Sequence, residues 1–137
     1  MVPRDVRPLL LRQHDRLRVE LARCESAARR FRDGCGPAIA LRHAVTTLRD
    51  AFAAHNVTEE AWLRPLLAGS AALGERRIAR MLEEHLAEHA MLSEQLVGPD
   101  DVIAARMPGI VEELEAHMAA EERTFLSRAV LPDVHAS

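Results

Sequence analysis

Five histidines and two glutamates occupy positions where a helical chain would ordinarily carry leucine. The apolar residues recur at alternating steps of three and four, which marks one buried face of a helix. The first such stripe reads Leu10, His14, Leu17, Leu21, Cys24, Ala28, Phe31. The second reads Leu41, Val45, Leu48, Phe52, His55, Glu59, Trp62, Leu66. A third runs Ile78, Leu82, His85, His89, Leu92, Leu96, and a fourth Ile110, Leu114, His117, Glu121, Thr124. Imidazoles and carboxylates are costly to bury without partners, so all seven need a common one.

Glycine and proline divide the stripes into four segments. Segment A runs from Pro3 or Pro8 to Phe31 and stops at Asp33-Gly34-Cys35-Gly36. Segment B starts at Pro37, a favoured first helical position, and ends near Gly69, with Pro65 expected to bend or tighten its last turn. Segment C spans Gly74 to Val97 and stops at Gly98-Pro99. Segment D takes its effective start at Pro108-Gly109 and ends before Pro132, with Asp100 to Arg106 a separate helical turn. Nothing reads as a strand. Short connections favour antiparallel neighbours, so the expected fold is all-α: an up-down-up-down antiparallel four-helix bundle formed by residues 1–137 as a single domain.

Composition excludes several function classes. Ala, Leu, Arg and Glu dominate, and all are strong helix formers. With 3% aromatic residues the core is aliphatic. A net charge of -3 argues against electrostatic binding of nucleic acid. Leu9-Leu10-Leu11 is too short an apolar run for a signal peptide, and no stretch is long enough to span a bilayer. Cys24 and Cys35 make no CxxC motif or disulfide framework, so a reduced, cytoplasmic setting is expected.

The polar stripe positions carry the chemistry. His-x-x-x-Glu and His-x-x-x-His each place two side chains one turn apart on one helix face. A lone His on such a face is ordinarily a core residue satisfied by one hydrogen bond, and a lone Glu often meets an Arg. Antiparallel packing changes that reading, because it lifts His14, His55, Glu59, His85, His89, His117 and Glu121 to one height in the bundle. Five imidazoles and two carboxylates exceed one tetrahedral zinc site. Mixed nitrogen and oxygen donors suit iron, manganese or zinc in a dinuclear centre, with iron placed first. His55-Asn56-Val57-Thr58-Glu59-Glu60 also parallels His117-Met118-Ala119-Ala120-Glu121-Glu122, as two pseudo-symmetric halves would.

The set His14, His55-x-x-x-Glu59, His85-x-x-x-His89 and His117-x-x-x-Glu121 resembles the hemerythrin-like (HHE cation-binding) family. Glu59-Glu60 followed by Leu63 and Pro65, and Glu121-Glu122 with Phe125, agree with it. The resemblance covers nearly the whole chain. It implies a non-haem diiron centre: two iron ions with a bridging oxo or hydroxo group, Glu59 and Glu121 as bridging carboxylates, and the five histidines as terminal ligands. By the family pattern His14 belongs to the iron with fewer histidines. Two six-coordinate irons offer about twelve positions, and these donors fill about eleven. One stays open for dioxygen or peroxide. In hemerythrins proper the last carboxylate is commonly an Asp five residues after its His. Here Glu121 stands at four and Glu122 at five; Glu121 fits the stripe and matches Glu59 in the repeat, so it is favoured.

Around such a centre, Leu10, Trp62, Leu82 and Phe125 are candidate walls of the open position, with Trp62 equally readable as a core anchor. Ala51, Ala54, Ala87, Ala90, Ala119 and Ala120 either leave space near the ligands or permit close helix packing. His43 lies off its stripe and His135 in a polar tail, so neither is a candidate ligand. Three functions fit: a dioxygen-binding carrier or sensor, a diiron oxidase or peroxidase acting on a small-molecule substrate, and an iron-sequestering or structural bundle without turnover.

Overall fold

A computed structural model describes residues 6–68, 74–124 and 126, without the side chains of residues 63, 64, 66–68, 75 and 78. Its elements are α1 (Val6–Arg32), α2 (Ala38–Ala68), α3 (Glu75–Gln95) and α4 (Asp100–Arg123), with no strand among the described residues. Pro8 lies in the first turn of α1, where a missing backbone N–H removes no helical bond. At the other end of α1, Gly34 takes a φ of 73°. The Cys35 and Gly34 amides then donate to the Arg30 and Phe31 carbonyls at 2.8 and 3.1 Å, a Schellman closure. Helix α2 starts one residue after Pro37 and runs through Pro65 to Ala68.

The last helix differs from the sequence reading. Asp100 to Arg106 is no separate turn: α4 begins at Asp100 and continues unbroken through Pro108. Two acidic residues, Asp100 and Asp101, stand in its first turn, where the helix dipole favours them. Asp100 is also held by a forked ion pair with Arg42 of α2, at 2.7 and 2.9 Å. Pro108 has no N–H to give the Ala104 carbonyl. The Arg32 guanidinium donates to that carbonyl at 2.6 Å instead, so the end of α1 supplies what the proline withholds. Arg32→Ala is therefore expected to cost about 1–2 kcal/mol, a fall of about 3–6 °C in thermal midpoint. A midpoint unchanged from the parent protein would show that water serves this carbonyl equally well.

Each helix packs on its sequence neighbours, α1 on α4 closes the ring, and α2 touches α4 across the diagonal. The result is the expected up-down-up-down four-helix bundle. Its apolar core fills one end. Leu17, Leu21, Cys24, Leu41, Leu48, Phe52, Leu92, Leu96, Met107, Ile110 and Leu114 are buried together there. Each large side chain contributes about 1.5–3 kcal/mol by leaving water, so this half is stabilised by ordinary packing. Ile103 and Ala104, which the stripe reading left out, join it because α4 starts early. Thr124, placed on the fourth stripe from sequence, is exposed. The helix has unwound there, Thr124 Oγ1 donates to the Ala120 carbonyl at 2.7 Å, and Leu126 takes the buried place.

Leu66 and Ile78 lie outside the described side chains. Cys24 is buried and Cys35 exposed, both as free thiols. No helix among the described residues is long and apolar enough to cross a membrane.

Candidate metal centre

The other end of the bundle carries the polar layer. His14 comes from α1, His55 and Glu59 from α2, His85 and His89 from α3, and His117 and Glu121 from α4. All seven are buried, from 0% exposure at His14 and Glu59 to 7% at His85. Packed core lies below them, where the Phe52 ring meets His89 edge-on at 5.7 Å. Above them Val6, Leu10 and Leu82 on their helices and Leu126 just beyond α4 are buried apolar residues.

Donor atoms converge on two carboxylates. His14 Nε2 lies 2.8 Å from Glu121 Oε1, and His55 Nε2 lies 2.8 Å from Glu59 Oε2. His85 Nε2 meets Glu59 Oε1 in close contact and lies 2.6 Å from Glu121 Oε2. His117 Nε2 stands 3.2 Å from Glu121 Oε2, and His89 Nε2 stands 3.3 Å from Glu59 Oε1. Within each His-x-x-x-Glu pair the ring and carboxylate meet one turn apart, so the sequence repeat is a structural one.

A second ring of partners fixes the imidazoles from outside. His14 Nδ1 donates to Glu122 Oε2 at 2.7 Å, and Arg18 holds the same oxygen at 2.9 Å. His55 Nδ1 donates to Gln13 Oε1 at 2.7 Å, and Gln13 Nε2 in turn donates to Thr58 Oγ1 at 3.3 Å. His117 Nδ1 donates to Glu88 Oε1 at 2.5 Å, and His89 Nδ1 reaches Glu60 Oε1 at 3.5 Å. An acceptor at Nδ1 keeps the proton there and turns the Nε2 lone pair inward, the arrangement typical of metal-ligating histidine. Sequence reasoning gave Gln13, Glu60 and Glu88 no part in holding the histidines and weighed a role for Glu122 only as a rival to Glu121. The doubled Glu59-Glu60 and Glu121-Glu122 carried the signal: in each, the first glutamate points inward and the second serves a histidine of another helix.

Without a cation the rings answer to the carboxylates. Burial opposes a charged His55 or His85, but Glu121 and Glu59 outweigh it, raising His55 to about 9 and His85 to about 10. Burial likewise works against charge on Glu59 and Glu121, yet hydrogen bonds from the surrounding rings hold both well below the usual carboxylate range. Burial and the nearby Glu20 charge push the Cys24 thiol up to about 12, so it stays an inert thiol in the core.

The residues present fit a pair of metal ions. Among the described residues, the buried side-chain atoms with no hydrogen bond are His55 Nε2, Glu59 Oε2, His89 Nε2, His117 Nε2, Glu121 Oε2 and Asn56 Oδ1. All but the last belong to this layer. They crowd within 4 Å of oppositely disposed donors yet lack hydrogen-bond geometry, as ligand atoms aimed at a common point would. The donors form two groups, each with its atoms within 4.8 Å of one another. One holds Glu59, His85, His89, His117 and Glu121; the other holds His14, His55, Glu59 and Glu121. The two groups share Glu59 and Glu121.

The family model for the hemerythrin HHE cation-binding domain matches residues 5–129. The chain belongs to that family. No curated protein and no solved structure matches it. The HHE domain brings together every residue named from sequence as a ligand. It also separates the two candidate carboxylates: Glu121 is 2% exposed at the centre, whereas Glu122 lies on the outer side of His14. Of the proposed walls, Leu10 and Leu82 are buried one turn before His14 and His85, Trp62 is half-buried, and Phe125 lies outside the described residues. His43 is exposed as expected, and His135 also lies outside the described residues.

Clefts reach the layer from two sides. One of about 360 Å³ opens between α1 and α2, lined by Gln13, Arg16, Asp50, Ala51, Ala54 and His55 among others. Another of about 180 Å³ opens between α3 and α4 and reaches His85, His117 and Glu121 past Glu84, Glu88 and Ala120. Ala51, Ala54 and Ala120 thus leave space, as one of the two sequence readings had it.

Proposed function

We propose that this HHE domain holds two iron ions, joined by Glu59, Glu121 and an oxo or hydroxo bridge, and binds or activates dioxygen or peroxide. His14 and His55 serve one iron; His85, His89 and His117 serve the other. The observation that carries this reading is the pair of donor groups sharing two carboxylates. A carboxylate that bridges two cations satisfies both oxygens and offsets charge from both sides, which explains how Glu59 and Glu121 can be buried among the imidazoles. Nitrogen and carboxylate donors together suit iron.

When bound, such an iron pair would lend two electrons to dioxygen, to be returned when dioxygen leaves or made good by an oxidisable substrate. The chain's own part is to hold the donors and shape access. His85, His89 and His117 with the two carboxylates would hold one ion, whereas His14 and His55 with the same two carboxylates would hold the other with one protein donor fewer. The side with fewer donors is the one whose His55 lines the α1–α2 cleft. The apolar residues on both sides of the layer exclude bulk water, which favours retention of a small ligand.

A second reading, a diiron oxidase or peroxidase acting on a small molecule, is supported by the same cleft. Its volume of about 360 Å³ and its polar lining at Gln13, Arg16, Thr47 and Asp50 give a substrate room beside His55. Anaerobic iron loading followed by exposure to dioxygen separates the two. An optical change that reverses when dioxygen is removed is the result expected of a carrier. A change that decays while dioxygen is consumed beyond the iron present is expected of an oxidase. No optical response at all would contradict both.

A further inference from the structure

The two clefts differ in charge, and the difference bears on how a cation reaches a buried site. The α3–α4 cleft is lined by Glu84 and Glu88 at its mouth and by Glu121 at its floor, with no arginine among the described residues of its lining. A neighbouring depression shares Glu84, Glu88 and His117 and adds Glu113. The α1–α2 cleft instead carries both Asp50 and Arg16 in its lining, and among the described residues the one member of the donor layer it reaches is the His55 ring, whose Nδ1 is engaged by Gln13.

Resting on the metal reading above, we propose that divalent cations enter between α3 and α4, and that Glu84 and Glu88 form a staging site for the incoming ion. Carboxylates set in a low-dielectric cleft raise the local concentration of cations and speed their association. Hard cations exchange water for carboxylate oxygen readily, so a glutamate at the mouth is a suitable first partner.

The floor provides the second, independent indication. Glu121 Oε2 is a carboxylate oxygen on a residue 2% exposed, faces the Nε2 atoms of His85 and His117 without hydrogen-bond geometry, and belongs to the residue shared by both donor groups. An ion passing Glu84 and Glu88 therefore meets Glu121 together with His85 and His117, three members of the donor layer. Glu88 connects mouth to floor directly, since its Oε1 accepts the His117 Nδ1 proton at 2.5 Å. Its own substitution would disturb a ligand, so the exposed Glu84 is the cleaner probe.

The test follows cobalt(II) uptake by the metal-free protein in a stopped-flow instrument, with metal content measured at equilibrium. Glu84→Arg is expected to slow uptake about tenfold without changing the number of ions finally bound. Glu84→Gln should slow it less, and added salt should slow the parent protein more than either variant. Asp50→Arg, at the opposite cleft, should leave the rate unchanged. Equal rates in Glu84→Arg and the parent, or an equal slowing by Asp50→Arg, would overturn the entry route while leaving the metal centre standing. A parent protein that takes up no cobalt at all would defeat the metal centre itself and the route with it.

Discussion

Glu121→Ala is expected to empty both metal positions at once. Glu121 stands within 4 Å of all five ring nitrogens that face the layer, and it belongs to both donor groups. Its loss removes a donor shared by both groups and takes away the one carboxylate that stands close to all five buried rings. Removing one partner from a buried charged set costs about 3–5 kcal/mol, so the variant should be both metal-poor and less stable. Histidine variants should behave differently. His14→Ala touches only the smaller donor group, and His89→Ala only the larger, so each should retain about one ion per chain while the other is lost. Glu122→Gln, one residue away, should keep both ions with affinity reduced about 10- to 100-fold, because it acts on the His14 ring from outside. Metal content per chain, measured alongside the thermal midpoint, checks the series. Retention of two ions in Glu121→Ala, or equal losses in Glu121→Ala and Glu122→Gln, would remove the shared-carboxylate description.

Stripping the metal is expected to have the next largest effect, and its size should depend on pH. An ion present at a hundred times its dissociation constant adds about 2.7 kcal/mol, so two add about 5 kcal/mol and about 10–20 °C. The pH dependence follows from the rings. In the metal-free protein His55 and His85 have raised pKa values, near 9 and 10. The stability they contribute is fully present below the unfolded value of about 6.5 and is lost as the pH rises through about 9 to 10. Metal binding works the other way, because a cation needs neutral rings and must displace those protons. The gap in thermal midpoint between loaded and metal-free protein should therefore widen from about pH 6 to about pH 8, and loading near neutrality should release protons into the buffer. Calorimetry with a redox-inert divalent ion measures both. A gap that narrows over this interval, or uptake with no proton release, would contradict the ring assignments.

What was legible in the sequence followed from periodicity. A face repeating at three and four residues locates a helix, and a histidine on that face must go where its leucine neighbours go. The antiparallel order then fixes which histidines share a height, so the seven inward donors could be named before any coordinates. Interruptions were harder to read. Pro108 looks like a helix start because its ring forbids one backbone bond, and nothing local reveals that Arg32, far away in the chain, replaces it. Thr124 kept the spacing of the stripe while the helix beneath it ended. The outer partners escaped for a related reason. Glu60, Glu88 and Glu122 lie off the apolar face, and a glutamate there reads as solvated until the facing helix brings its imidazole within reach.

The central claim is that two cations share Glu59 and Glu121, and a field-dependent Mössbauer spectrum of the oxidised, iron-loaded protein tests it most directly. Two irons per chain with a common diamagnetic ground state are expected, since short bridges couple the spins of neighbouring ferric ions. One iron per chain, or two that respond to the field as magnetically isolated ions, would contradict it.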